Sequence, residues 1–196
     1  MLKYILVPLA AALIYAGVFQ LDFIKTYFHD AESYMMTVQT LEGRPTLISS
    51  NQRKNVILKM LVKPGDTLNT AFKEKIILKY PDQTALTLEA DTSLMLMEST
   101  DTKELQFLRG ILQIDTEVQS EEAVLTVHTA LTDIKIVQGS CRISLRGDKE
   151  LIHVISGFII IRNTSQGVEQ KVTGGHYVTV HGNNLKVDKN QKKREN

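Results

Sequence analysis

Thr84-Ala85-Leu86-Thr87-Leu88 sets Leu86 and Leu88 at alternate positions among small or polar neighbours, and Leu94 and Leu96 keep the same parity further on. A period of two belongs to a strand with one buried face, because successive side chains leave the pleat on opposite sides. Working outward, similar short segments rich in β-branched residues occupy 111–114, 124–129, 134–137, 143–145, 151–155, 158–161 and 177–180. Glycines at 139, 147, 157, 167, 174, 175 and 182 stand mostly seven to ten residues apart, which predicts one strand and one turn per interval. Pro81-Asp82 and the run Asn163-Thr164-Ser165-Gln166-Gly167 are further turn signals. No stretch beyond Met36 alternates strands with helices long enough for parallel crossovers, so the pattern argues against a doubly wound nucleotide-binding fold. The expected class is all-β, a hairpin or solenoid-like domain.

The chain opens differently. Residues 4–19 are apolar, and Lys3 is the only charge before Asp22. Such a run must be covered on all faces in water, whereas a bilayer solvates it and a helix satisfies its own backbone. It reads either as a cleaved signal peptide, with Lys3 as a minimal basic leader, or as an uncleaved anchor. Small residues two apart are poorly placed for cleavage: Ala10 and Ala12 lie inside the run, and Ala16 has Ile14 before it. That favours the anchor, with the bulk of the chain facing outward. A short helical pattern then covers 22–36. The expected organisation is a signal peptide or membrane anchor at 1–21, a helical linker at 22–36, the β-domain at 37–185 and a disordered basic tail at 186–196. The tail holds five basic residues against Asp188 and Glu195.

At 196 residues and 43% hydrophobic content, one domain with a real core fits and two would be cramped. The net charge of +1 gives no general case for nucleic acid. Cys141 is the only cysteine, so neither an intrachain disulfide nor a cysteine-based zinc site is available. It reads as a buried small hydrophobe. The five histidines are His29, His128, His153, His176 and His181. His176 and His181 are separated by an odd number of positions, so one strand would send them to opposite faces. Glu121-Glu122 reads as a charged turn, and Gly65-Asp66 and Gly174-Gly175 as turns rather than phosphate loops. Met95 and Met97 are expected to pack into the core opposite Leu94 and Leu96. No nucleophile elbow or metalloprotease motif occurs. No catalytic, cofactor-binding or metal-ligating residue is therefore assigned, and no cofactor is expected.

A succession of short motifs carries more than any one of them. Leu41-Glu42-Gly43, Val62-Lys63-Pro64-Gly65-Asp66-Thr67-Leu68-Asn69-Thr70, Tyr80-Pro81-Asp82-Gln83, Thr92-Ser93-Leu94 and Leu108-Arg109-Gly110-Ile111-Leu112 come first. Val127-His128-Thr129, Val137-Gln138-Gly139-Ser140-Cys141-Arg142-Ile143, then 153–161 and Val172-Thr173-Gly174-Gly175-His176 follow. Their order and spacing over 34–182 resemble the FecR-type periplasmic domain. Gln83 stands where that family has a turn glycine, and Ser140-Cys141-Arg142-Ile143 departs from its usual strand. The resemblance implies a periplasmic all-β module for protein or ligand contact, without catalytic residues. The family's familiar members place a cytoplasmic anti-sigma region before the membrane segment; here only three residues precede the apolar run, so that region is expected to be missing.

The reading that follows is an envelope FecR-like binding or scaffold module, not an enzyme, with an envelope protein or polymer as partner and the membrane reached through the N-terminal helix. The alternative is a membrane-anchored β-jellyroll that handles lipid, similar to the LptC component of lipopolysaccharide export. A continuous apolar groove between the strand faces would distinguish it.

Overall fold

The computed structural model of the chain describes residues 35–97, 99, 102–116 and 124–189. Fifteen strands run through them: β1 (Met36–Glu42), β2 (Thr46–Ser49), β3 (Gln52–Asn55), β4 (Leu61–Val62), β5 (Thr67–Asn69), β6 (Lys75–Lys79), β7 (Ala85–Leu88), β8 (Ser93–Leu96), β9 (Lys103–Thr116), β10 (Leu125–His128), β11 (Thr132–Arg146), β12 (Lys149–Asn163), β13 (Glu169–Thr173), β14 (His176–His181) and β15 (Asn184–Lys189). The all-β expectation is met: the described residues contain no helix. Residues 1–34, including the apolar run and most of the expected linker, lie outside the described residues. Met36, the last linker position, already opens β1. Among the described residues no helix is long and apolar enough to cross a membrane.

The strands form two layers joined by three long members. One layer runs β15, β14, the first half of β12, the second half of β11, the second half of β9, β7, β6, β1 and β4. The other runs β13, the second half of β12, the first half of β11, β10, the first half of β9, β8, β5, β2 and β3. Pairing is antiparallel except between β9 and β10, where Leu125 to His128 lie parallel to Lys103 to Gln106.

What lets one strand serve both layers is a switch of buried parity at its middle. In β9 the buried side chains are Lys103, Leu105 and Phe107, then Leu112, Ile114 and Thr116. In β11 they are Thr132, Ile134 and Ile136, then Cys141, Ile143 and Leu145. In β12 they are Glu150, Ile152 and Val154, then Ile159, Ile161 and Asn163. Each switch coincides with a glycine at positive φ: Gly110 (101°), Gly139 (105°) and Gly157 (70°). Gly139 and Gly157 are paired across β11 and β12, with register shifts on either side. A Cβ on Gly139 would overlap the Ser156 carbonyl, and one on Gly157 would come 2.7 Å from the Gln138 carbonyl carbon. Two backbones meet there at a distance only glycine permits.

This corrects the turn assignment at two positions. Gly139 and Gly157 are bends inside strands, whereas Gly147, Gly175 and Gly182 do sit in the tight β11–β12, β13–β14 and β14–β15 connections. The choice between hairpins and solenoid coils resolves to antiparallel hairpins folded over on themselves. β15 also runs four residues into the stretch read as a basic tail, because Leu185 and Val187 pair with Val180 and Val178 and pack against the core.

The two inner faces share a single core. Leu86, Ile114, Ile143, Ile152 and Val178 from one layer join Leu68, Leu94, Phe107, Val127, Ile134 and Ile161 from the other, all fully buried. Leu86, Leu88, Leu94 and Leu96 point inward as their spacing predicts. Met95 in β8 and Met97 just beyond its end are half-buried rather than packed in the core with Leu94 and Leu96.

Candidate functional site

The bend at Gly110 borders a concavity of the surface. Thr92, fully buried, fills the space a side chain at 110 would need: a Cβ there would lie 2.5 Å from the Thr92 Cα. The Thr92 hydroxyl donates to the Ile111 carbonyl (3.1 Å) and accepts from the Ile111 amide (3.0 Å). Thr70 buttresses it, accepting from the Thr92 amide (2.9 Å) and donating to the Glu89 carbonyl (2.5 Å). Buried hydroxyls thus satisfy the backbone groups that the bend removes from the ladder. Arg109, the residue before the glycine, is left exposed at the rim.

A second support lies at the end of β1. Gly43 has φ 82°, and a Cβ there would fall 2.6 Å from the Glu74 Cγ. Glu74 accepts from the Arg44 amide (3.0 Å) and the Ala71 amide (2.8 Å), tying the β1–β2 connection to the loop before β6. Its carboxylate is thereby committed to the backbone.

Between these supports lies a cleft of about 420 Å³ whose charged lining is Arg44, Arg53, Arg109, Glu74 and Asp91. An adjoining cleft of about 620 Å³ shares Asp91 and Arg109 and adds Phe72, Glu89 and Arg146. Arg44, Arg53, Arg109 and Arg146 make no ion pair among the described residues, whereas Glu89 is paired with Arg142 at 3.6 Å. The balance available to a ligand is therefore cationic. Guanidinium groups present planar, paired donors suited to carboxylate or phosphate oxygens, and Phe72, 73% exposed, offers an apolar contact beside them. The arrangement can hold an anionic group.

The side chains weighed from sequence do not gather here. His176 contacts the Thr173 carbonyl (3.0 Å) at the start of β14, and His181 faces Asp148 (3.0 Å) at its end. His128 sits between Asp133 (2.7 Å) and Glu104 (3.7 Å). His153 stacks on Tyr177 with ring centroids 4.1 Å apart. Among the described residues no three His, Cys, Asp or Glu side chains cluster as a metal site. Cys141 is fully buried, and burial, reinforced by the Asp115 charge, pushes its thiol up to about 12. Asp66 is a buried turn residue whose carboxylate accepts from the Lys63 amide (2.9 Å). Glu121-Glu122 lies outside the described residues.

Two buried polar groups had no place in the sequence reading. Glu150 is fully buried on the inner face of β12; its Oε2 accepts from the hydroxyls of Thr132 (2.9 Å) and Thr129 (3.1 Å). Burial raises its carboxyl to about 7, against the lowering effect of those two hydrogen bonds. Lys103 is 6% exposed, ion-paired with Asp82 and 5.3 Å from the centre of the Tyr80 ring. Burial first, then the Asp82 charge, pushes the Tyr80 hydroxyl upward. The signal for Glu150 was its parity with Ile152 and Val154. The cleft arginines carried no such signal, being scattered from 44 to 146.

The family described as FecR protein matches residues 66–159, the stretch that holds all three glycine bends and Asn69, Thr70, Glu74, Asp91 and Arg109 of the cleft. That stretch is similar to a FecR domain. Two crystal structures of a candidate anti-sigma factor from Parabacteroides distasonis ATCC 8503 share its fold, each with a TM-score of 0.55, at 14% and 15% identity. The match covers 63% of this chain and 59% of that one. No curated protein matches. Gln83, where the family resemblance expects glycine, holds φ 70°, a left-handed conformation that glycine adopts without strain.

Proposed function

We propose that the chain is a non-catalytic binding module of the bacterial cell envelope. Its FecR-like domain faces outward, residues 4–19 hold it at the membrane, and its arginine-lined concavity receives an acidic segment of an envelope protein. The observation that carries this reading is the set of four arginines without ion-pair partners among the described residues around two adjoining clefts, Arg109 and Arg146 of them within the family-matched stretch. The candidate anti-sigma factor with the same fold supports protein contact as the general business of such a domain. The core supports a binding surface over a lipid conduit: its facing side chains are at or near zero exposure, and of its members only Leu145 lines either of the two clefts.

In-cell photo-crosslinking from position 72 tests the proposal. Adducts with an envelope protein are expected, and Arg109→Glu together with Arg44→Glu is expected to abolish them while the domain stays folded. An unchanged adduct pattern in that variant, or fractionation of the domain to the cytoplasm, would defeat the reading.

A further inference from the structure

The two layers have open sides, and on one of them the chain crosses from β3, the last strand of one layer, to β4, the last strand of the other. The crossing loop, residues 56–60, is not loose. Val56 is buried and Met60 packs against the core. The Lys59 amide donates to the Val38 carbonyl (2.9 Å), the Val38 amide to the Met60 carbonyl (3.0 Å), and the Met60 amide to the Ile57 carbonyl (3.2 Å). On this pinned backbone Ile57, Leu58 and Leu61 turn outward, 60%, 57% and 53% exposed. Three neighbouring aliphatic side chains more than half in water are a standing cost unless something covers them.

The charge around them indicates what. Residues 44–65 contain Arg44, Arg53, Lys54, Lys59 and Lys63 and no acidic residue. That segment carries +5 in a chain whose net charge is +1, so the remainder sums to −4. None of the five is in an ion pair among the described residues. Exposed aliphatic tips with Lys54, Lys59 and Lys63 within four positions of them in sequence, and no acidic residue between, match the boundary of an anionic bilayer. There the tips enter the acyl region while ammonium and guanidinium groups meet phosphate. Connectivity agrees. Met36 pairs with Val62 and Thr37 with Leu61, so the chain enters the domain beside this patch, with sixteen residues between Phe19, which closes the apolar run, and Met36.

We infer that the face formed by Ile57, Leu58 and Leu61 with Lys54, Lys59 and Lys63 docks on an anionic phospholipid surface, fixing the orientation of the domain on the membrane. This rests on the membrane-held reading above and adds a second, reversible contact to it. Long-range attraction comes from the cations and weakens with salt, while the aliphatic side chains set depth.

The test uses the full chain. Because Cys141 is buried, Leu58→Cys gives a single accessible thiol for a polarity-sensitive fluorophore. Gln166→Cys, beside the edge strand β13 at the far end of its layer, serves as reference. In vesicles of equal parts phosphatidylglycerol and phosphatidylcholine, quenching of the label at 58 by bilayer-embedded brominated lipid should exceed that at 166 several-fold. The difference should collapse in pure phosphatidylcholine, in high salt, and in the Lys54→Glu, Lys59→Glu, Lys63→Glu variant. Equal quenching at the two sites in anionic vesicles, with the protein still floating with them, overturns the docking face alone. Failure to float overturns both it and the membrane-held reading. Shielding of position 58 that persists in detergent without anionic lipid would assign the patch to a protein contact and also overturn the inference.

Discussion

Glu150 shows how a single inward carboxyl makes stability depend on pH. In the folded chain its carboxyl is raised to about 7 from an ordinary 4.5, so the folded state holds this proton more tightly than the unfolded state does. Below the unfolded value both states are protonated and the contribution is fully present. As pH rises toward 7 the unfolded chain ionises first, and stability falls until both states are charged. The expected loss across that window is about 3 kcal/mol. Glu150→Gln should flatten this part of the profile and be the more stable protein at pH 8, as urea unfolding at a series of pH values will read. Lys103 and Asp82 give a second residue-scale expectation, because their exposures differ: 6% against 33%. Asp82→Ala strands a buried ammonium and removes the acceptor for the Thr84 amide (3.1 Å), and should cost about 3 kcal/mol or more. Lys103→Met leaves a carboxylate that water still reaches and should cost clearly less. Thermal denaturation of the two variants side by side checks the ordering.

At the scale of elements, the bends are what the sequence half concealed. Strand existence was legible because one face of each segment is buried, and Leu86, Leu88, Ile134, Ile136, Ile152 and Val154 report that face by their spacing. The role of Gly139 and Gly157 was not legible, since a glycine bounded by β-branched runs looks the same whether the chain reverses there or bends and continues. The distinguishing signal is the change of parity across it, from Ile134 and Ile136 to Cys141 and Ile143. It becomes readable only when both halves are known to belong to one strand. Substitution separates the two kinds of glycine. Gly147 has nothing within 4 Å of an added Cβ, so Gly147→Ala meets only the penalty of φ 60°, about 1 kcal/mol. Gly139→Ala and Gly157→Ala drive a methyl into the facing backbone, with contacts of 2.6 Å and 2.7 Å to carbonyl carbons, and should cost about 3 kcal/mol or more. Soluble yield and denaturation midpoints of the three variants measure the contrast; equal effects would mean the bends are not structural corners.

At the scale of the whole molecule, the same long strands bind function and stability together. The clefts were invisible in the sequence because Arg44 and Arg53 come to line one, Arg146 the other and Arg109 both only after the β1–β2 connection, β3, β9 and β11 have been placed by long-range pairing. The larger cleft has walls from both layers: Arg109 from the first half of β9 in one, and Leu145 and Arg146 from β11 where it runs in the other. A cleft of that construction keeps its shape only if the layers do not open independently. Three strands pass through both, and their buried residues feed one core, so no surface separates one layer as its own folding unit. Leu68→Ala in β5 and Leu86→Ala in β7 empty fully buried positions on opposite sides of that core. Each should cost about 2–5 kcal/mol. Each is expected to shift one shared transition rather than melt its own layer. Hydrogen exchange at β8 and β14 should then report the same drop in opening free energy in both variants. Loss of protection confined to the substituted layer would show the halves to be separable, and with them the two walls of the arginine cleft.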